Sequence, residues 1–174
     1  QILDIDPSRI HREHDSGASP IIAGYQGWTD DQDIAVLGRG GSDTTAVALA
    51  YALGADVCEL YTDVSGVFSA DPRLVPDARK MLTVSFDELL EMTATGCPKP
   101  AMRSVEFARN HNVPIQVRSS FTWEPGTWVT SQEPSMEDPI ISGVVTDVSE
   151  AKVTVRKVPD KPGVSAGLFE PLAP

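Results

Sequence analysis

The chain has 174 residues, 41% hydrophobic and 22% charged, enough for one well-buried domain and the start of a second. Its formal charge of -11 excludes a nucleic-acid surface, because nothing would offset repulsion from phosphates, so any phosphate it binds must be held locally. No apolar run approaches the roughly 20 residues that cross a bilayer, and no charged segment followed by an apolar one opens the chain, so a cytoplasmic protein without membrane contact is expected.

In chain order, the apolar run Pro20 to Tyr25 predicts a buried strand, and Gly27 to Asp33 a polar turn. A glycine loop, Val36-Leu37-Gly38-Arg39-Gly40-Gly41-Ser42-Asp43, feeds an Ala- and Leu-rich helix over Thr44 to Leu53. Ser42 or Asp43 is the expected N-cap and Gly54 the stop. Ala55 to Tyr61 reads as a strand, and Thr62 to Lys80 as irregular chain with Asp63, Gly66, Asp71-Pro72 and Pro76-Asp77 as turn formers. Ser85-Phe86-Asp87-Glu88 is a capping box opening a helix toward Gly96. A further helix covers Ala101 to Arg109, and an alternating strand covers Pro114 to Arg118. Helices alternating with strands make residues 1–130 an α/β domain with a mainly parallel sheet. Residues 131–140 read as a linker. Beyond it lie an alternating strand, Ala151 to Val158, a proline-glycine turn at Pro159 to Gly163, and a helix start from Val164.

Cys58 and Cys97 match no metal-ligand spacing and are expected to be free structural thiols, and no metal-ligating cluster is visible. His11, His14 and His111 sit in polar contexts and read as surface residues. The chain opens on Gln1 and closes inside an amphipathic stretch, so a piece of a longer protein is expected.

The chemistry concentrates in the glycine loop. Glycines let the backbone approach a phosphate closely, and a helix N-terminus favours an anion. Arg39 can add a bidentate contact to a carboxylate or phosphate. Asp43 would repel an anion, so its presence points to a ligand that also carries an amino group or a metal. The Gly-Lys-Ser/Thr ending of a Walker A loop is absent. Taken alone, the loop is also compatible with an ordinary strand-to-helix turn capped by an Asp.

Residues Val36 to Asp43 resemble the Leu-Gly-Arg-Gly-Gly-Ser-Asp signature of the aspartate kinases, within the amino-acid kinase superfamily. The run Tyr61-Thr62-Asp63-Val64-Ser65-Gly66-Val67-Phe68-Ser69-Ala70-Asp71-Pro72-Arg73 is similar to that family's nucleotide-binding segment. Ile21 to Gly27 and Arg103 to Ala108 resemble further family segments in the same order. The resemblance implies a three-layer αβα kinase fold and ATP-dependent phosphorylation of the L-aspartate side-chain carboxylate to 4-phosphoaspartate, with ATP and Mg²⁺ as cofactors. That reaction opens the route to Lys, Thr and Met. It implies that Arg39, Ser42 and Asp43 bind the substrate aspartate, Arg39 and Asp43 serving the chemistry. It assigns Thr62, Asp63, Phe68, Asp71, Arg73 and Lys99 to the nucleotide.

Three departures from the family pattern matter. Phe68 stands where Tyr is usual, so stacking survives and a hydroxyl contact does not. Lys99, flanked by Pro98 and Pro100, sits one place later than the family's Gly-Ser/Ala-Lys cation. The family's Lys-Phe/Tyr-Gly-Gly and acidic segments are absent, so the piece is expected to be inactive alone. Residues 141–174, with Gly143 to Val158 and Asp160-Lys161-Pro162-Gly163-Val164, resemble the opening of an ACT module. This α+β regulatory unit is incomplete here, and it implies homo- or hetero-oligomers. Two alternatives are a non-catalytic regulatory or assembly subunit and a kinase acting on glutamate or carbamate. The latter is disfavoured because such enzymes lack this tail.

Overall fold

The computed structural model describes residues 2–97, 99–131, 141 and 143–147. The linker (131–140) and ACT expectations, including the strand at Ala151 to Val158, fall almost wholly outside them.

Ten elements are described in chain order: α1 (Ser8–Asp15), β1 (Gln26–Trp28), β2 (Ile34–Val36), α2 (Gly41–Leu53), β3 (Cys58–Thr62), β4 (Thr83–Ser85), α3 (Phe86–Ala94), α4 (Met102–His111), β5 (Ile115–Ser119) and β6 (Thr127–Thr130). Four strands form a mixed sheet in the order β3-β5-β6-β4, with β3 parallel to β5, β6 parallel to β4, and β5 antiparallel to β6. The strands β1 and β2 make a separate antiparallel hairpin. The α/β reading holds.

Alternation along the sheet strands sets the core. Cys58 and Leu60 of β3, Ile115 and Val117 of β5, and Val129 of β6 point to one face. There they meet Val47 and Ala50 of α2, Leu89 and Met92 of α3, and Val105 and Ala108 of α4. Glu59, Tyr61 and Trp128 lie on the opposite, more open face. On that face Arg118 Nη1 donates to Glu59 Oε1 at 2.7 Å, and its guanidinium lies 5.6 Å from the Tyr61 ring centre. The expected alternation of the fifth strand is only partial, because Gln116 is buried too.

Several local readings hold. Ser85 Oγ accepts from the Glu88 N–H at 3.2 Å while Glu88 Oε2 accepts from the Ser85 N–H at 3.0 Å, the reciprocal capping box. Gly54 ends α2 in the left-handed conformation, φ 63°, where a Cβ is disfavoured. Cys58 is buried and Cys97 half-buried, both unbridged, and His11, His14 and His111 are exposed.

Three readings differ. The expected strand at Pro20 to Tyr25 is absent. Ile21 is 100% exposed and the first pairing begins at Gln26, because an apolar run forms a strand only where a partner edge lies beside it. The N-cap of α2 is Gly40, so Ser42 and Asp43 occupy its first turn. Helix α1 arises in the polar opening segment, buries no residue, and offers no apolar stripe for sequence reading to detect.

Ser85→Ala removes the capping acceptor of a helix whose Leu89 lies in the core. A loss of about 1 kcal/mol in urea denaturation is expected, with unchanged m-value.

Candidate active site

The glycine loop leaves β2 and enters α2 through two left-handed residues, Gly38 (φ 84°) and Gly40 (φ 73°). The Gly41 N–H donates to Gly38 O at 3.0 Å and the Thr44 N–H to Gly40 O at 3.2 Å, closing the loop onto the first helical turn. A Cβ at Gly40 would lie 2.4 Å from Ala101 Cβ, so only glycine admits this approach. Arg39 is exposed and makes no ion pair with the described residues, Ser42 is exposed, and Asp43 is half-buried.

Asp43 does not cap its own helix. Its Oδ2 accepts from the Ala101 N–H at 3.1 Å, at the start of α4, a helix whose N-cap supplies no side-chain acceptor. The loop entry is held from the same place, since Arg103 Nη1 donates to Leu37 O at 3.0 Å.

The second segment is organised by its own turns. The Val64 N–H donates to Thr62 Oγ1 at 3.0 Å, and the Ser120 N–H to Thr62 O at 2.7 Å. Phe68, half-buried, bridges Lys80 through the backbone. Arg73 forks onto Asp71, with Nε 3.0 Å from Oδ1 and Nη2 2.7 Å from Oδ2. Lys99, displaced in sequence, nevertheless reaches this segment: its Nζ lies 3.0 Å from Asp63 Oδ1.

Residues 99–103 therefore join the two segments. Lys99 contacts Asp63, Ala101 contacts Gly40 and Asp43, and Arg103 contacts Leu37. All nine sequence-predicted site residues belong to these two segments or this brace. Ala101 and Arg103 were not among them, and only the position of Arg103 inside a quoted motif hinted at it.

A cleft of about 850 Å³ opens elsewhere, between the chain start and the hairpin, lined by Ile5, Ile22, Trp28, Val36, Leu37 and Arg103 among others. Its lining includes none of the nine predicted residues, although Leu37 and Arg103 of the loop contact border it. Among the described residues no three His, Cys, Asp or Glu side chains gather as a metal cluster, and no helix is long and apolar enough to cross a membrane.

The family model described as "Amino acid kinase family" matches residues 1–119. The chain belongs to the amino acid kinase family. It is 53% identical over 176 residues to the aspartokinase of Mycobacterium bovis, covering 99% of this chain and 42% of the relative. The chain thus spans less than half the length of that relative. Aspartokinase III of E. coli, solved with aspartate and ADP in an R-state, is 34% identical with TM-score 0.61, over 64% of this chain and 25% of that one. The same enzyme with lysine and aspartate, in a T-state, gives 34% and TM-score 0.57 over the same shares.

In this amino acid kinase chain the electrostatics of the second segment are set by its cations. Hydrogen bonding from Lys99 holds the Asp63 carboxyl below the ordinary Asp range, and hydrogen bonding from Arg73 does the same for Asp71. Burial pushes the Cys58 thiol up to about 11, with the Asp43 charge adding to it, so this thiol stays protonated and inert at neutral pH.

A folded-state pKa below the unfolded one means that each pair contributes above the unfolded Asp value and is lost as pH falls through the lowered one. Side-chain carboxyl NMR titration should show Asp63 titrating below the ordinary range. In Lys99→Met that titration moves back up while Asp71 stays in place.

Proposed function

We propose that this chain is part of an aspartate kinase, an enzyme that transfers the γ-phosphoryl group of ATP to the side-chain carboxylate of L-aspartate. What carries the reading is the brace at residues 99–103, which sets the loop bearing Arg39, Ser42 and Asp43 beside the segment bearing Asp63, Asp71 and Arg73. The E. coli relative solved with aspartate and ADP supports the choice of both ligands.

In this reading Arg39 clamps a substrate carboxylate with its unpaired fork, Ser42 adds a hydroxyl contact, and Asp43 accepts from the substrate ammonium through the oxygen that Ala101 leaves free. A side-chain carboxylate oxygen of aspartate bonds to the γ-phosphorus as the bond to the ADP oxygen breaks. The attacking carboxylate is already ionised at neutral pH, so no general base is needed. Thr62, Asp63 and Phe68 border the nucleotide, while Arg73 and Lys99 exchange their carboxylate partners for phosphate oxygens. Among the described residues no three His, Cys, Asp or Glu side chains gather, so Mg²⁺ would be held chiefly through the phosphates, with Asp63 and Asp71 the carboxylates that could complete its shell. Bound there, the ion would neutralise charge on the transferring group.

Residues 1–130 would then belong to the kinase domain, with 131–140 as linker and 141–174 as the start of an ACT module that senses an end product and pairs subunits. The lysine complex of the E. coli relative supports regulation of this kind. Two unbridged thiols suit a cytoplasmic enzyme. The alternative of a non-catalytic partner subunit rests in part on the displaced Lys99, whose Nζ nevertheless reaches Asp63 Oδ1 of the second segment at 3.0 Å.

Calorimetry with Mg²⁺ and a non-hydrolysable ATP analogue tests the nucleotide half. Arg73→Ala and Lys99→Met should each weaken binding about tenfold, as expected for loss of one charge-assisted contact. Binding that neither substitution changes would contradict the assignment.

A further inference from the structure

Arg103 belongs to no expected contact with substrate or nucleotide, and it is exposed, yet its guanidinium is committed to a backbone carbonyl 66 residues earlier in the chain. That carbonyl, of Leu37, is the last one before Gly38 turns the chain into the left-handed region. The opposite end of the loop is fixed to the same helix start, by Asp43 Oδ2 on the Ala101 N–H. Between these two anchors Gly40 touches Ala101 Cβ. One helix N-terminus thus holds the loop at its entry, middle and exit. The helix itself is immobilised, because Ser104 and Val105 are fully buried and Ser104 Oγ donates to Ala101 O at 2.6 Å.

A loop rich in glycine has high conformational freedom and must be ordered before it can present Arg39 and Asp43 in a fixed geometry. Asp43 needs one oxygen engaged with Ala101 so that the other faces outward, and this holds only while α2 and α4 keep their spacing. Arg103 fastens the side of the loop that Asp43 does not reach. We propose that Arg103 is a positioning residue for the acid-binding loop: it contacts no ligand, and by holding Leu37 O it sets the affinity for the amino-acid substrate while leaving nucleotide affinity alone. The split is expected because Arg103 holds only the glycine loop, at Leu37, whereas the second segment is ordered by Thr62, Ser120 and Lys80 and is reached by Lys99, not by Arg103. The inference rests on the aspartate kinase reading for the identity of the ligand, and on the geometry alone for the loop.

The test compares Arg103→Met, Arg103→Lys and, as a control at the far end of α4, Arg109→Met, which breaks a surface pair with Asp87. Titration calorimetry should show Arg103→Met weakening L-aspartate roughly fivefold, the change that one hydrogen bond of ordinary net strength gives. Affinity for the Mg²⁺-bound ATP analogue should hold. Arg103→Lys, which keeps a donor, should recover part of the loss, and Arg109→Met should change neither affinity. Equal weakening of both ligands, or no weakening of L-aspartate, overturns the proposal. Amide hydrogen exchange reads the clamp without a ligand. Arg103→Met should speed exchange at Gly41 and Thr44 and leave Leu89 unchanged, and unaltered exchange at Gly41 and Thr44 overturns the positioning role. If that effect is present but the unsubstituted protein binds no L-aspartate, it is the substrate reading that falls.

Discussion

The contact between Gly40 and Ala101 is the constraint on which the site depends. It demands a residue without Cβ, in a left-handed conformation, at the point where a loop becomes a helix. Once that approach is allowed, the Ala101 N–H falls within 3.1 Å of Asp43, Arg103 reaches Leu37, and Lys99, two residues earlier, reaches Asp63. A larger side chain at position 40 would push α4 away and loosen all three together. The sheet and core serve this arrangement: α2 and α4 pack closely because Val47, Ala50, Val105 and Ala108 are small and fully or nearly buried.

Charge follows the same economy. A chain with net charge -11 must hold anions with a few placed cations. Arg73 and Lys99 are paired with Asp71 and Asp63 near the surface, where solvent screens such pairs and leaves them weak. In the proposed aspartate kinase reading, weak pairs suit a nucleotide site, since they orient the cations and yield to phosphate at small cost. Arg39 is exposed and makes no ion pair with the described residues, which suits the carboxylate clamp proposed for it.

Much of this was legible where the signal is local. The capping box at Ser85 and Glu88, the glycine stop at Gly54, the helix over Met102–His111 and the strand over Ile115–Ser119 follow from residue chemistry within a few positions. The N-cap of α2 was misplaced because Asp43, a residue type that caps helices, instead satisfies a donor 58 residues away. The run at Ile21 and Ile22 looked like a strand because hydrophobicity reports a preference for burial, while pairing requires a neighbouring edge. The brace at residues 99–103 was legible only in part, through Lys99 and the motif that begins at Arg103, and its contacts were not. Its contacts span 36 to 66 residues, and the backbone groups of Leu37 and Ala101 that take part carry no sequence signature.

The most direct test of this account is an NMR measurement of proximity between the Ala101 methyl group and the Gly40 α-protons in the free protein. The account predicts a strong nuclear Overhauser effect between them, together with one from the Ala101 amide proton to the Asp43 β-protons. If the Ala101 methyl group instead shows effects only within its own helix, the loop and α4 are not in contact and the two segments do not share a site.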